Sequence, residues 1–144
     1  MKTTNEMRLT FESKSVNEGF SRVAVSSFAS SLDPTVEELS DIKTAVSEAV
    51  TNAIVHGYRE KMGKIYITAA ITDKNIIRIK VRDKGVGIED IEKARQPLFT
   101  TLGGERAGLG FAVMESFMDK VKVRSAPGRG TTVTLEKKIS GKEG

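Results

Sequence analysis

The nine residues Glu48-Ala49-Val50-Thr51-Asn52-Ala53-Ile54-Val55-His56 constrain this chain more than any other stretch. Ile42, Ala45, Val46, Ala49, Val50 and Ala53 recur at helical spacing and make one apolar face. Glu48, Asn52 and His56 are each four apart, so they stack on a second face. A carboxylate and a carboxamide one turn apart suit a site that needs a base and a neutral oxygen ligand. A solvated helix face is the plain alternative, and the downstream motifs weigh against it. These are Asp83-Lys84-Gly85-Val86-Gly87, then Gly108-Leu109-Gly110, then Gly130-Thr131-Thr132.

Around that helix the chain reads as alternating element types. Met7, Leu9 and Phe11 alternate with polar residues, which predicts a half-buried strand over 6–13. Ser15 to Glu18 fits a capping box, opening a first helix with an apolar stripe of Phe20, Val23, Ala24 and Phe28. Arg22 lies off that stripe and is predicted to be exposed. Asp33-Pro34 ends this helix, and Thr35 to Glu38 offers a second capping box ahead of the Glu48 helix. Gly57 fits a C-terminal cap. Ile65 to Ile71 and Ile77 to Val81 predict two strands joined by a hairpin at Asp73-Lys74-Asn75. The period of two puts Asp83 in phase with the inward set Ile77, Ile79 and Val81, so this carboxylate needs a donor partner.

Beyond it, 88–95 predicts a short helix, and 96–107 a loop long enough to act as a lid. A helix is predicted to open at Gly108, with Leu109, Val113, Met114 and Phe117 on its apolar side. Two strands follow, one carrying Val121 and Val123, the other Thr131, Val133 and Leu135. Residues 139–144 are expected to fray. The whole predicts a single domain over 1–144. Its fold class is α/β (α+β): a two-layer sandwich with a mixed, largely antiparallel sheet covered on one face by helices.

Composition narrows the chemistry. The chain has 144 residues, 38% hydrophobic and 29% charged, as in globular domains. With no cysteine, disulfides and thiolate metal sites are excluded, and one histidine cannot build a zinc site by itself. The net charge is +4, but lysines and arginines form no run and aromatics are 6%, so we expect no direct contact with nucleic acid. No apolar stretch approaches a membrane span and the N-terminus has no signal core, which points to the cytoplasm.

A purine nucleotide fits these groups. Asp83 accepts from the adenine amino group, and guanine offers a carbonyl there instead, so adenine is preferred. Gly85 and Gly87 allow a tight turn beside base and ribose. Thr131 adds a hydroxyl near the base. Gly108 and Gly110, at a helix start, offer backbone donors to phosphates. Asn52 gives an oxygen to Mg²⁺, with phosphate and water completing the octahedron. Glu48 accepts a proton.

The ordered set resembles the ATP-binding superfamily shared by gyrase, Hsp90 chaperones, histidine kinases and MutL, over 35–138. Glu48-Ala-Val-Thr-Asn52-Ala-Ile-Val-His56-Gly57-Tyr58, Arg95-Gln-Pro-Leu-Phe-Thr-Thr101 and Phe111-Ala-Val-Met-Glu-Ser-Phe117-Met-Asp, with Phe20-Ser-Arg22-Val and Leu32-Asp-Pro34-Thr, more narrowly resemble the anti-sigma-factor serine kinases. That resemblance implies a homodimer that binds an RNA polymerase sigma factor. It also implies phosphorylation of a serine on an anti-anti-sigma protein, using ATP (leaving ADP) and Mg²⁺. By the same resemblance, Glu48 is the catalytic base, Asn52 the Mg²⁺ ligand, Asp83 the adenine acceptor and Arg106 a lid arginine near the phosphates. Arg22 falls on the partner-binding surface. Between Thr101 and Arg106 the chain is one residue shorter and more glycine-rich than that family's pattern, and Ala107 stands where serine is usual. A nucleotide-gated binder without transfer activity and a detached histidine-kinase catalytic domain are the rival readings. The second lacks a helical hairpin to present a phospho-accepting histidine.

Overall fold

The computed structural model describes residues 1–95 and 104–141, the side chains of 104–108 excepted. Strand β1 spans Thr3–Glu12, helix α1 Val16–Ala29, helix α2 Val36–Asn52, strand β2 Lys64–Thr72 and strand β3 Ile76–Asp83. A short helix α3, Ile91–Ala94, precedes helix α4, Gly104–Phe117, and strands β4, Lys120–Ala126, and β5, Gly130–Lys138, close the chain. The sheet order is β1-β2-β3-β5-β4 and every pair is antiparallel. Helices cover one face only, so the sandwich has the expected two layers.

The core follows from strand alternation. Phe11, Ile65, Ile67, Ile71, Ile77, Ile79, Val81, Val133 and Leu135 point from the sheet at the buried stripe Ile42, Ala45, Val46, Ala49 and Val50 of α2. That helix lies between α1 and α4 and packs on both. Its start is the predicted capping box: Thr35 Oγ1 accepts from the Glu38 N–H at 3.0 Å, and Glu38 Oε1 accepts from the Thr35 N–H at 2.9 Å.

Three local expectations give way to tertiary packing. In α1 the buried residues are Ser21, Val25, Ser26 and Ala29, while Phe20 and Val23 are 51% and 63% exposed. Serines sit inside because their hydroxyls bond back to helix carbonyls: Ser21 to Glu18 O at 2.7 Å and Ser26 to Val23 O at 3.0 Å. Ser15 makes no side-chain cap, and Glu18 instead accepts from Ser47 of α2 and pairs with Arg22. The C-terminal segment does not fray where described. Ile139 is buried, and the N–H groups of Ser140 and Gly141 donate to the Glu38 carboxylate at 2.8 and 3.1 Å.

Candidate functional site

Glu48 and Asn52 lie on the last turns of α2, both half-buried, and face α4 at Gly110. A β-carbon at Gly110 would stand 3.1 Å from both Asn52 Oδ1 and Nδ2 and 3.2 Å from Glu48 Oε2. The missing side chain therefore lets α4 close over these two groups. Asn52 Nδ2 is buried and has no hydrogen-bond partner among the described residues. Leaving such a group unsatisfied costs about 1–3 kcal/mol, so this amide has a donor N–H to offer.

Directly after Asn52 the helix widens into a π turn, Ala53–Tyr58. Such turns are rare and gather at functional sites. Gly57 is therefore no helix cap; the chain turns out at Arg59, at φ 58°. The π turn presses Gly57 onto the end of β3. Its carbonyl accepts from the Val86 N–H at 2.9 Å, and a β-carbon at Gly85 would fall 2.0 Å from that same carbonyl oxygen. Gly87, at φ 77°, likewise lies against the Ala126 carbonyl. The two glycines expected beside base and ribose are thus required by contacts within the protein itself.

Asp83 is 4% exposed, as its phase predicted. Its oxygens do find donors: the Gly85 N–H at 2.9 Å and the backbone N–H of Thr131, its cross-strand partner. Burial nevertheless pushes the carboxyl above the ordinary aspartate range, and those two bonds only partly offset it. The Thr131 hydroxyl lies 2.8 Å from Ser125 Oγ. Ser125 donates to the Gly130 carbonyl and accepts from the Ile88 N–H, which leaves Thr131 as donor to it. Sequence reasoning passed over Ser125, although the inward alternation Val121, Val123, Ser125 was the signal for it.

Helix α4 does not open at Gly108. It begins at Gly104, so the amides of Gly108 and Gly110 lie inside it and are not the free donors expected of a helix start. Its buried side is Gly110, Phe111 and Met114, continued by Met118, while Leu109 and Phe117 are 52% and 37% exposed. The lid residues 96–103 and the side chain of Arg106 lie outside the described residues. Among the described residues no group of three or more His, Asp or Glu could cage a metal. One neutral Asn oxygen suits a hard cation held mostly by phosphate oxygens and water, so the residues present fit Mg²⁺ carried by a nucleotide. Arg22 is exposed, 3.7 Å from Glu18, beside the bared Phe20 and Val23.

Residues 12–137 match the family described as histidine kinase-like ATPase domain. The chain is 61% identical over 140 residues to the anti-sigma F factor of Thermoanaerobacter sp. (strain X514), covering 96% of this chain and 97% of that protein. It is 54% identical over 138 residues to the anti-sigma F factor of Bacillus subtilis (strain 168), covering 94% of each. Among solved structures, that of the RsbU and RsbW domains of a Mycobacterium tuberculosis protein superposes with TM-score 0.70 at 22% identity, over 94% of this chain and 33% of that one. A blue-light activated histidine kinase domain from Erythrobacter litoralis superposes at TM-score 0.57 and 20% identity, over 85% and 61%. The two superpositions speak for the fold alone.

Proposed function

Because this chain belongs to the histidine kinase-like ATPase family and, within it, to the anti-sigma F factors, we propose that it binds a sigma factor and is an ATP-dependent protein serine kinase acting on an anti-anti-sigma protein. The observation that carries the kinase reading is the closure of Gly110 over Glu48 and Asn52, with the orphaned Asn52 amide between them. A carboxylate that can act as a base and a carboxamide that can act as a neutral ligand meet there against α4.

In this reading Asp83 accepts the adenine amino group and fixes the nucleotide. The partner's serine Oγ attacks the γ-phosphorus while the bond from that phosphorus to the β–γ bridging oxygen breaks. The bridging electron pair leaves with ADP, and the serine proton passes to a Glu48 oxygen. Mg²⁺ bound with the nucleotide supplies charge neutralisation at the phosphate oxygens, and Asn52 is the residue that would hold it. Arg106 contributes a further positive charge. Phosphoryl transfer depends chiefly on such positioning, since its transition state is loose. Gly110 acts here as the spacer that admits α4, and the acting unit is a homodimer.

Transfer of label from γ-labelled ATP to a purified anti-anti-sigma protein tests the proposal. Acid-stable phosphoserine on that partner is expected, with Glu48→Gln keeping nucleotide affinity and losing most transfer. Wild-type transfer by Glu48→Gln would remove Glu48 as base. Nucleotide-dependent sigma binding without any transfer would favour the gated binder, and acid-labile label would favour a histidine kinase.

A further inference from the structure

The sheet face turned away from the helices carries an ordered set of cations that the nucleotide site does not use. Register places Arg82 and Arg124 on either side of Thr132, and Lys80 and Lys122 on either side of Thr134. All four cations are exposed, and none forms an ion pair among the described residues. The acids of this face lie at its ends and are engaged or remote. Glu136 pairs with Arg78 at 3.2 Å and Glu6 with Arg8 at 3.2 Å, while Glu12 closes the opposite end. A groove of about 980 Å³ opens at the Arg82–Arg124 end of this face, lined by Arg8, Lys80, Arg82, Arg124, Arg129 and Thr132, and Lys122 and Thr134 continue the face beyond it.

We propose that this open face docks an extended acidic segment of a protein partner, laid along β5 with carboxylates at alternate positions. The spacing carries the choice. Cations two residues apart on one strand stand about 6.8 Å apart, and β3 and β4, separated by β5, stand about 9.6 Å apart. Same-side residues of an extended peptide also repeat at about 6.8 Å. A peptide over the threonine valley therefore sets one carboxylate between Arg82 and Arg124 and the next between Lys80 and Lys122. The threonine hydroxyls below offer neutral hydrogen bonds. A second copy of this chain is disfavoured, because the face would meet its own charge. Single-stranded nucleic acid is disfavoured too: among the described residues Tyr66 is the aromatic of this face, and Lys84 Nζ already covers its ring at 4.9 Å. The surface is independent of the kinase reading.

Fluorescence anisotropy with a labelled nonapeptide of alternating Glu and Thr, the length of β5, tests it. Binding at low salt is expected, and it should weaken in about 0.3 M salt. The pairs Arg82→Ser/Arg124→Ser and Lys80→Ser/Lys122→Ser are each expected to weaken it roughly tenfold, with ATP affinity unchanged as the check on folding. Three results would overturn the proposal. They are no binding of the peptide by the wild type, equal binding by the paired variants, or tighter binding of an oligo-dT of the same length. Equal binding of a peptide with its glutamates in one block would overturn the alternate-position register.

Discussion

Gly57 and Asp83 are in contact through the absence of a side chain: a β-carbon on Gly57 would lie 2.8 Å from both Asp83 Cγ and Oδ1. The π turn of one element and the last residue of β3 therefore share one space. Anything that moves the helix end moves the carboxylate, so the position of Asp83 is set by α2 as much as by its own strand.

Asp83→Asn should weaken ATP and ADP binding by about 1–3 kcal/mol and erase most of the preference over GTP, because the amide cannot present the same pair of acceptors. The nucleotide-free variant should melt no lower than the wild type at neutral pH, since it removes a buried charge that burial penalises. Calorimetry with ATP and GTP, beside thermal melts, checks both. Equal ATP and GTP affinities in the wild type would defeat the adenine assignment.

The raised Asp83 pKa fixes the sign of a pH effect. The folded protein holds this proton to higher pH than the unfolded chain. Its contribution to stability is thus fully present below the unfolded pKa and lost as pH rises through the folded one. Adenine needs the ionised carboxylate, so nucleotide affinity should fall as pH drops through the raised value. Asp83→Asn should flatten that slope. A slope that persists in the variant would assign it to another group.

Gly110→Ala separates stability from binding. Alanine favours a helix interior by about 1 kcal/mol over glycine, yet its methyl would crowd Asn52 and Glu48 at 3.1–3.2 Å. Melting temperature should hold or rise while ATP affinity falls, by roughly tenfold or about 1.4 kcal/mol. Unchanged ATP affinity would show that this closure is not the nucleotide site.

Arg22→Glu should weaken sigma-factor binding by roughly 2 kcal/mol or more and leave ATP affinity alone. The exposed Phe20 and Val23 beside it give the arginine an apolar surround, and among the described residues it pairs with the neighbouring Glu18. A pull-down with the sigma factor and calorimetry on the same variant would read both effects. Normal sigma binding would remove Arg22 from that surface.

Glu38→Ala should destabilise the fold by about 1–2 kcal/mol, the scale of a lost cap. The variant also frees the tail at Ser140 and Gly141. Partial burial works to raise the Glu38 pKa, but bonds from Thr35, Ser140 and Gly141 outweigh it and hold the pKa at about 2. That stability is present above the unfolded value of 4.5 and is lost as pH falls from there toward about 2. Acid melts of wild type and variant should converge over that window, and parallel curves would place the effect elsewhere.

The local patterns determined a good deal. Strand alternation placed Met7, Leu9 and Phe11 inward and set Asp83 at the buried end of β3. The 3.6-residue period of α2 put Ile42 to Val50 in the core and Glu48 with Asn52 on one shared face, which meets α4 at Gly110, and Thr35 and Glu38 marked its start. These signals survive because periodicity and capping act over a few neighbours, and each needs only one covering layer to be true. What they left open needed contacts between distant segments. The burial of Ser21 in place of Phe20 depends on which face of α1 meets α2. The burial of Phe111 and the exposure of Leu109 depend on which face of α4 meets α2. The glycines of the site are explained by partners far away in sequence: Gly57 by Asp83, Gly87 by Ala126 and Gly110 by Asn52. A glycine's spacing says that room is required, and only the folded chain decides what fills that room, because close approach belongs to a pair of segments and not to either one.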